Sequence, residues 1–146
     1  MTNKRPIIPP RILGKLRAIC LPRTGAYEEA AWTGTRWLAR KRNFAHVVAI
    51  DDGWPPAHAR AAGTDGPALV LTFRASGELS DALRTTGPPH FHAPWGTKWG
   101  TQVIGMVLGN RVRWDEVAIL LGESHRVLAT ARPAGSPAMP RPRRRR

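Results

Sequence analysis

The chain has 146 residues, 42% of them hydrophobic, which is enough to bury one core without staples, and its single cysteine, Cys20, excludes an internal disulfide framework and a CxxC zinc pair. No run approaches the ~18 consecutive apolar residues of a membrane span, and Met1 to Pro10 is basic without a following apolar stretch. The expectation is a cytoplasmic chain, neither secreted nor membrane-embedded, with Cys20 as a small core side chain.

The formal net charge of +13 suggests a polyanion partner, but the charge is unevenly spread. Lys4, Arg5, Arg11, Lys15 and Arg17 lie in the first twenty residues without an acid among them, and Arg132, Arg141 and Arg143 to Arg146 lie in the last fifteen, again without one. Between them, residues 21–131 are nearly neutral. A basic end on a neutral body suits a tail that binds a polyanion, a solvated tail that aids solubility, or a tail read by another protein.

In chain order, Met1 to Pro10 contains Pro6, Pro9 and Pro10 and reads as an extended basic arm. From Arg11, the spacing of Ile12, Leu13, Leu16, Ile19 and Cys20 predicts a helix that stops at Leu21-Pro22. Ala26 to Ala31, with Glu28 and Glu29, reads as a second short helical turn. Thr35 to Arg40 and Phe44 to Ile50 predict two strands of a hairpin turning at Lys41-Arg42-Asn43, and Asp51 to Pro67 reads as a long surface loop. Ala68 to Phe73 is a third strand. Ser76 is a plausible N-cap for a short helix with Leu79, Ala82 and Leu83 on one face, stopped by Gly87-Pro88-Pro89. His90 to His92 and Thr101 to Leu108 are strands four and five. A helix over 114–129 follows, with Trp114, Val117, Leu121 and Leu128 on one face and Asp115 and Glu116 at the positive end of its dipole. Residues 132–146 lack the apolar side chains needed to offset ordering and read as a disordered Arg/Pro-rich tail.

The order α-βββ-α-ββ-α over a single domain, residues 11–131, predicts a two-layer α+β fold: an antiparallel sheet with helices on one face. The pattern Glu29-x-x-Trp32-Thr33-Gly34-Thr35-Arg36-Trp37, then Lys41-x-x-Phe44-Ala45, Trp114-Asp115-Glu116-Val117 and Ser124-His125-x-Val127-Leu128 resembles the MmcQ/YjbR family over roughly residues 13–131. The resemblance implies the same element order, in a double-wing-like fold, and a DNA-binding role. Two departures add positive charge: the family's Gly-Lys hairpin turn reads Lys41-Arg42-Asn43 here, with Asn43 able to take the left-handed conformation, and Arg113 stands where Asp often precedes the last helix.

Two candidate surfaces follow. Arg36, Arg40, Lys41 and Arg42 gather at one hairpin around Trp37, so guanidinium groups can meet phosphates while the ring stacks on a base; Arg141, Arg143, Arg144, Arg145 and Arg146 add a cation cluster that reads no sequence and acts in a salt-dependent way. In the competing reading, strand faces and turns are ordinarily charged and Trp37 is core. The second surface is a groove lined by Trp54, Trp95, Lys98 and Trp99, suited to a protein segment or a small ligand, against the reading that loop tryptophans pin a lid to the core. Neither a P-loop nor a GxGxxG cradle occurs, and there is no GxSxG elbow. Ser124 and His125 are helix neighbours pointing about 100° apart, Glu28-Glu29 is a weak acid–base pair, and His90 with His92 supplies too few ligands for a metal. The expectation is therefore a non-enzymatic, DNA-associated protein with no cofactor and no metal, or alternatively a binding module for a protein or small ligand.

Overall fold

The computed structural model describes residues 7–95 and 101–130. The elements run α1 (Pro10–Cys20), β1 (Ala26–Ala30), β2 (Thr35–Ala39), β3 (Arg42–Ile50), α2 (Pro56–Ala62), β4 (Ala68–Ala75), α3 (Gly77–Thr86), β5 (His90–Ala93), β6 (Gln102–Leu108) and α4 (Trp114–Thr130). The fold is α+β: six strands form one sheet in the order β1-β2-β3-β4-β6-β5, every neighbouring pair antiparallel.

The core lies between the sheet and α1, α3 and α4. Ile12, Leu16 and Cys20 recur every four residues along α1, and Val117, Leu120, Leu121 and Leu128 fall at three-, four- and seven-residue helical spacings along α4, so each helix turns one apolar stripe inward. They meet Trp37, Val47, Leu71, Phe73, Ile104 and Met106 from alternate positions of the strands. Burying a side chain the size of Leu71 or Phe73 contributes about 1.5–3 kcal/mol. The arm expected over 1–10 is tied down at its end, because Ile8 joins this core beside exposed Ile7; its first six residues lie outside the described residues.

Two segments differ from the sequence reading. Ala26–Ala30 is an edge strand, not a helical turn: Glu28 lies opposite Trp37 and Glu29 opposite Arg36, and the partners supplied by β2 and α1 outweigh the local preference of two glutamates. Glu28 accepts hydrogen bonds from Arg17 Nε (2.9 Å), Arg17 Nη2 (2.9 Å) and Trp37 Nε1 (3.0 Å), and the Arg17 contact holds its carboxyl below the ordinary range. Within the expected loop 51–67, Pro56–Ala62 forms α2. Proline at its start and Gly63 just past its end, in the left-handed conformation (φ 73°), mark its limits.

The short helix α2 packs on the opposite face of the sheet, where Ala59 joins Ile50 and Val70, with Ala62 and Phe91 beside them. One cross-strand row of this face reads Glu29, Arg36, His46, Thr72, Gly105 and Phe91. Gly105 is required there by close approach: a Cβ on it would stand 2.0 Å from the Phe91 ring.

Candidate functional site

Ala39 pairs with Arg42, so the β2–β3 hairpin closes through two residues, Arg40 (φ 56°) and Lys41 (φ 65°). Both are left-handed, as a type I′ turn demands; the turn expected at 41–43 is thus shifted by one residue, and Asn43 instead pairs with Leu38 as part of β3. The physical reason is strand twist, which two-residue primed turns match. Type I′ turns favour Asn-Gly, and a left-handed non-glycine residue costs roughly 1–2 kcal/mol. Lys41→Gly is therefore expected to raise the unfolding free energy by about 1 kcal/mol, measured by urea denaturation; no gain would show that the tip is unstrained.

The tip lies against the end of α4. Arg40 Nη1 donates to the carbonyl of Ala129 (3.1 Å) and Arg42 Nη1 to that of Leu128 (2.9 Å). The last turn of a helix leaves carbonyls unpaired and carries partial negative charge, and α4 has no basic residue of its own there, so the hairpin supplies the cap. Arg36 is held by Glu29, its Nε donating to Oε1 at 2.8 Å. Trp37 is fully buried with its indole N–H on Glu28, which removes it as a stacking platform: its position faces the helices, and only the opposite side of the strand looks outward. Of the five hairpin candidates, Lys41 is exposed and no hydrogen bond or ion pair holds it among the described residues. Arg141 and Arg143 to Arg146 lie outside the described residues, but α4 carries the chain to Thr130 at this tip.

Two of the tryptophan candidates, Trp54 and Trp95, are among the described residues. Trp54 stands edge-on to Trp32 (centroids 5.5 Å apart), whereas Trp95 lies on His58 of α2 (4.9 Å); Lys98 and Trp99 lie outside the described residues. Beneath Trp95 is a small cavity of about 70 Å³ walled by His46, Thr72, Arg74 and Val103. His46 Nε2 donates to the carbonyl of Thr33 (2.8 Å) and its ring meets His58 edge-on at 5.9 Å. Neither ring nitrogen of His58 has a hydrogen-bond partner among the described residues. Burial pushes the His58 imidazole down to about 4, with His46 adding to the effect, and burial lowers His46 as well.

A histidine kept neutral in the fold but free to protonate at about 6.5 when unfolded makes the unfolded state bind more protons below that value. Stability is expected to be full above pH ~6.5 and to fall as the pH drops toward about 4, the value to which His58 is held. Thermal melts of the protein and of His58→Leu across this window test it: the variant should lose part of the pH dependence, and identical profiles would sink the assignment.

The remaining sequence candidates have structural partners. Ser124 is fully buried; its hydroxyl donates to the Phe44 carbonyl (2.6 Å) and accepts the Arg74 N–H (2.9 Å). His125 Nε2 donates to the Thr24 carbonyl (2.8 Å) and the ring stands edge-on to Phe44. Ser124 and His125 both touch Phe44 but hydrogen-bond to different groups and not to each other. Cys20 is buried with its thiol pushed up to about 12, chiefly by desolvation, which makes it a core side chain. His92 Nε2 bonds Gln102 Oε1 (3.0 Å), and no group of three His, Cys, Asp or Glu side chains able to hold a metal occurs among the described residues.

Sequence reasoning did not foresee a groove of about 1180 Å³ where β5 and β6 meet the ends of α2 and α3 and the start of α4. Its walls come from segments as far apart in sequence as Ala62, Thr86, Phe91 and Glu116, and no motif announces it; the unpaired His90 on its wall was visible only as one of two alternating histidines.

The described chain is thus an α+β protein built on a six-stranded antiparallel sheet, with a basic hairpin tip at one end of its last helix and an open groove at the other. No family model matches the chain, and no curated protein or solved structure does either. None of its described helices is long and apolar enough to cross a membrane.

Proposed function

We propose that this protein binds DNA without sequence preference, as a binder and not an enzyme, through a basic end made of the hairpin tip and the Arg-rich C-terminal segment. The observation that supports this most is the capping of α4 by Arg40 and Arg42: it starts the last sixteen residues, with Arg141 and Arg143 to Arg146, from the same tip that exposes Lys41. Arg141 lies eleven positions beyond Thr130, so covalent reach keeps that arginine within about 40 Å of the tip. Two cationic residues also occupy left-handed positions where Asn-Gly would be less strained, and local strain that is retained marks positions worth testing for function. The resemblance to the MmcQ/YjbR family points the same way. The role of the hairpin differs from the one its sequence suggested: Arg36, Arg40 and Arg42 are committed to Glu29 and to helix carbonyls, Trp37 is buried, and the phosphate contacts fall to Lys41 and the tail.

Fluorescence anisotropy with a short labelled duplex and a single strand, at two salt concentrations, tests this. Each phosphate contact on duplex DNA contributes a slope of about 0.9 in log K against log salt. Lys41→Gln is expected to reduce the slope by about one, and Gln at Arg141, Arg143, Arg144, Arg145 and Arg146 together by several, with at least a tenfold weaker affinity. No binding, or binding unmoved by both replacements, would overturn the proposal. Loss on the tail replacement with Lys41→Gln silent would assign DNA to the tail alone.

A further inference from the structure

The groove at the other end of α4 has its own chemistry. Its lining is largely apolar, with Pro89, Phe91, Val107 and Val112 among the residues that form it. At about 1180 Å³ and open to solvent, it is as large as the upper range of small-molecule pockets, about 300–1,000 Å³. His90 also lines it, and neither of its ring nitrogens, both shielded from water, has a hydrogen-bond partner among the described residues. On the rim stand Arg111 and Arg113, both exposed and in no ion pair among the described residues, opposed by the single carboxylate of Glu116.

We propose that this groove binds a small amphipathic anion: an apolar chain or ring that ends in a carboxylate. The apolar body lies along Pro89, Phe91 and Val107, where burial of its surface supplies the attraction. The carboxylate is taken by Arg111 and Arg113, since a guanidinium fork matches carboxylate geometry and the rim carries one more positive than negative group. Glu116 repels the anion and so keeps it on the arginine side, and the two arginines disfavour a cationic head. The site is independent of the DNA reading: seventeen residues of α4 at 1.5 Å each place it about 25 Å from the hairpin tip.

The test is an NMR titration of the full chain, ¹⁵N-labelled, with dodecanoate below its micelle concentration, with 2-naphthoate, and with dodecyltrimethylammonium as the charge-reversed control. Saturable shifts confined to His90, Val107 and residues 110–113 are expected with the two carboxylates and not with the ammonium. The pair of carboxylates separates a chain-binding groove from a ring-binding one. Arg111→Gln with Arg113→Gln is expected to weaken binding at least tenfold. Val112→Trp, which fills the opening from a loop, is expected to abolish it with the rest of the spectrum unchanged. Equal binding of the ammonium, shifts scattered over the basic surface, or no shift at all would overturn the proposal, whatever the outcome with DNA.

Discussion

Gly34→Ala is expected to cost more than about 4 kcal/mol, enough to leave little folded protein from a typical total of 5–15 kcal/mol. Gly34 sits at φ 76°, and a Cβ on it would stand 2.0 Å from the carbonyl oxygen of Val47 and 3.0 Å from its carbonyl carbon. Val47 is a fully buried residue of β3, bonded into the sheet on both sides, so its backbone cannot yield as a flexible side chain would. The left-handed penalty alone is roughly 1–2 kcal/mol and the overlap adds the rest. Gly63→Ala provides the control, because Gly63 has nearly the same φ, 73°, with nothing within 4 Å of the added carbon. Urea denaturation followed by tryptophan fluorescence should show Gly63→Ala losing only the conformational part. Equal losses would mean that close approach to β3 is not the reason for glycine at 34.

Ser124→Ala is the second large effect, expected at about 3 kcal/mol from the loss of two buried partners at once. The ladder between β3 and β4 runs from the Ile50–Ala68 pair to the Ala45–Phe73 pair, and one position further on the Phe44 carbonyl and the Arg74 N–H turn to the Ser124 hydroxyl instead. The side chain is shut off from water, so removing its oxygen strands a donor and an acceptor of the main chain. Amide exchange of Arg74 reads this directly: slow in the protein, fast in the variant. A variant with unchanged stability and unchanged exchange would show that the hydroxyl contributes nothing there.

Much of the fold was legible because it rests on periodic apolar residues. Ile12, Leu16 and Cys20 in α1, Val117, Leu121 and Leu128 in α4, and the runs that became β3, β4 and β6 all bury the side chains expected of them. Where the pattern is silent or decided elsewhere, the reading differs. Tyr27-Glu28-Glu29 carries no strand signature, and only Arg17, Trp37 and Arg36, distant in sequence or across a turn, make it one. The helix α2 was signalled by Pro56, four alanines and Gly63, but a seven-residue helix offers too few turns for periodicity to register. The hairpin shows a different limit. Its basic residues were recognised as a group, yet no sequence rule says that Arg40 and Arg42 face the end of a helix that begins some seventy residues later, and that partner converts two phosphate candidates into caps. For Trp37, a shift of one residue along a strand would exchange stacking ring for core; the structure places it in the core.

The two outer strands also bear on how copies of this chain meet one another. An exposed strand edge is a row of unpaired amides and carbonyls on which a second sheet can grow. Here β1 spans five residues and carries Glu28 and Glu29, while β5 spans four and follows Pro88-Pro89, whose nitrogens bear no hydrogen. Each template is therefore too short and too polar to extend far, and aggregation through either margin is disfavoured at neutral pH. Acid weakens that protection at one margin only: once Glu28 takes up a proton its pairing with Arg17 is lost, while β5 keeps its prolines, so self-association at low pH should start from the β1 side.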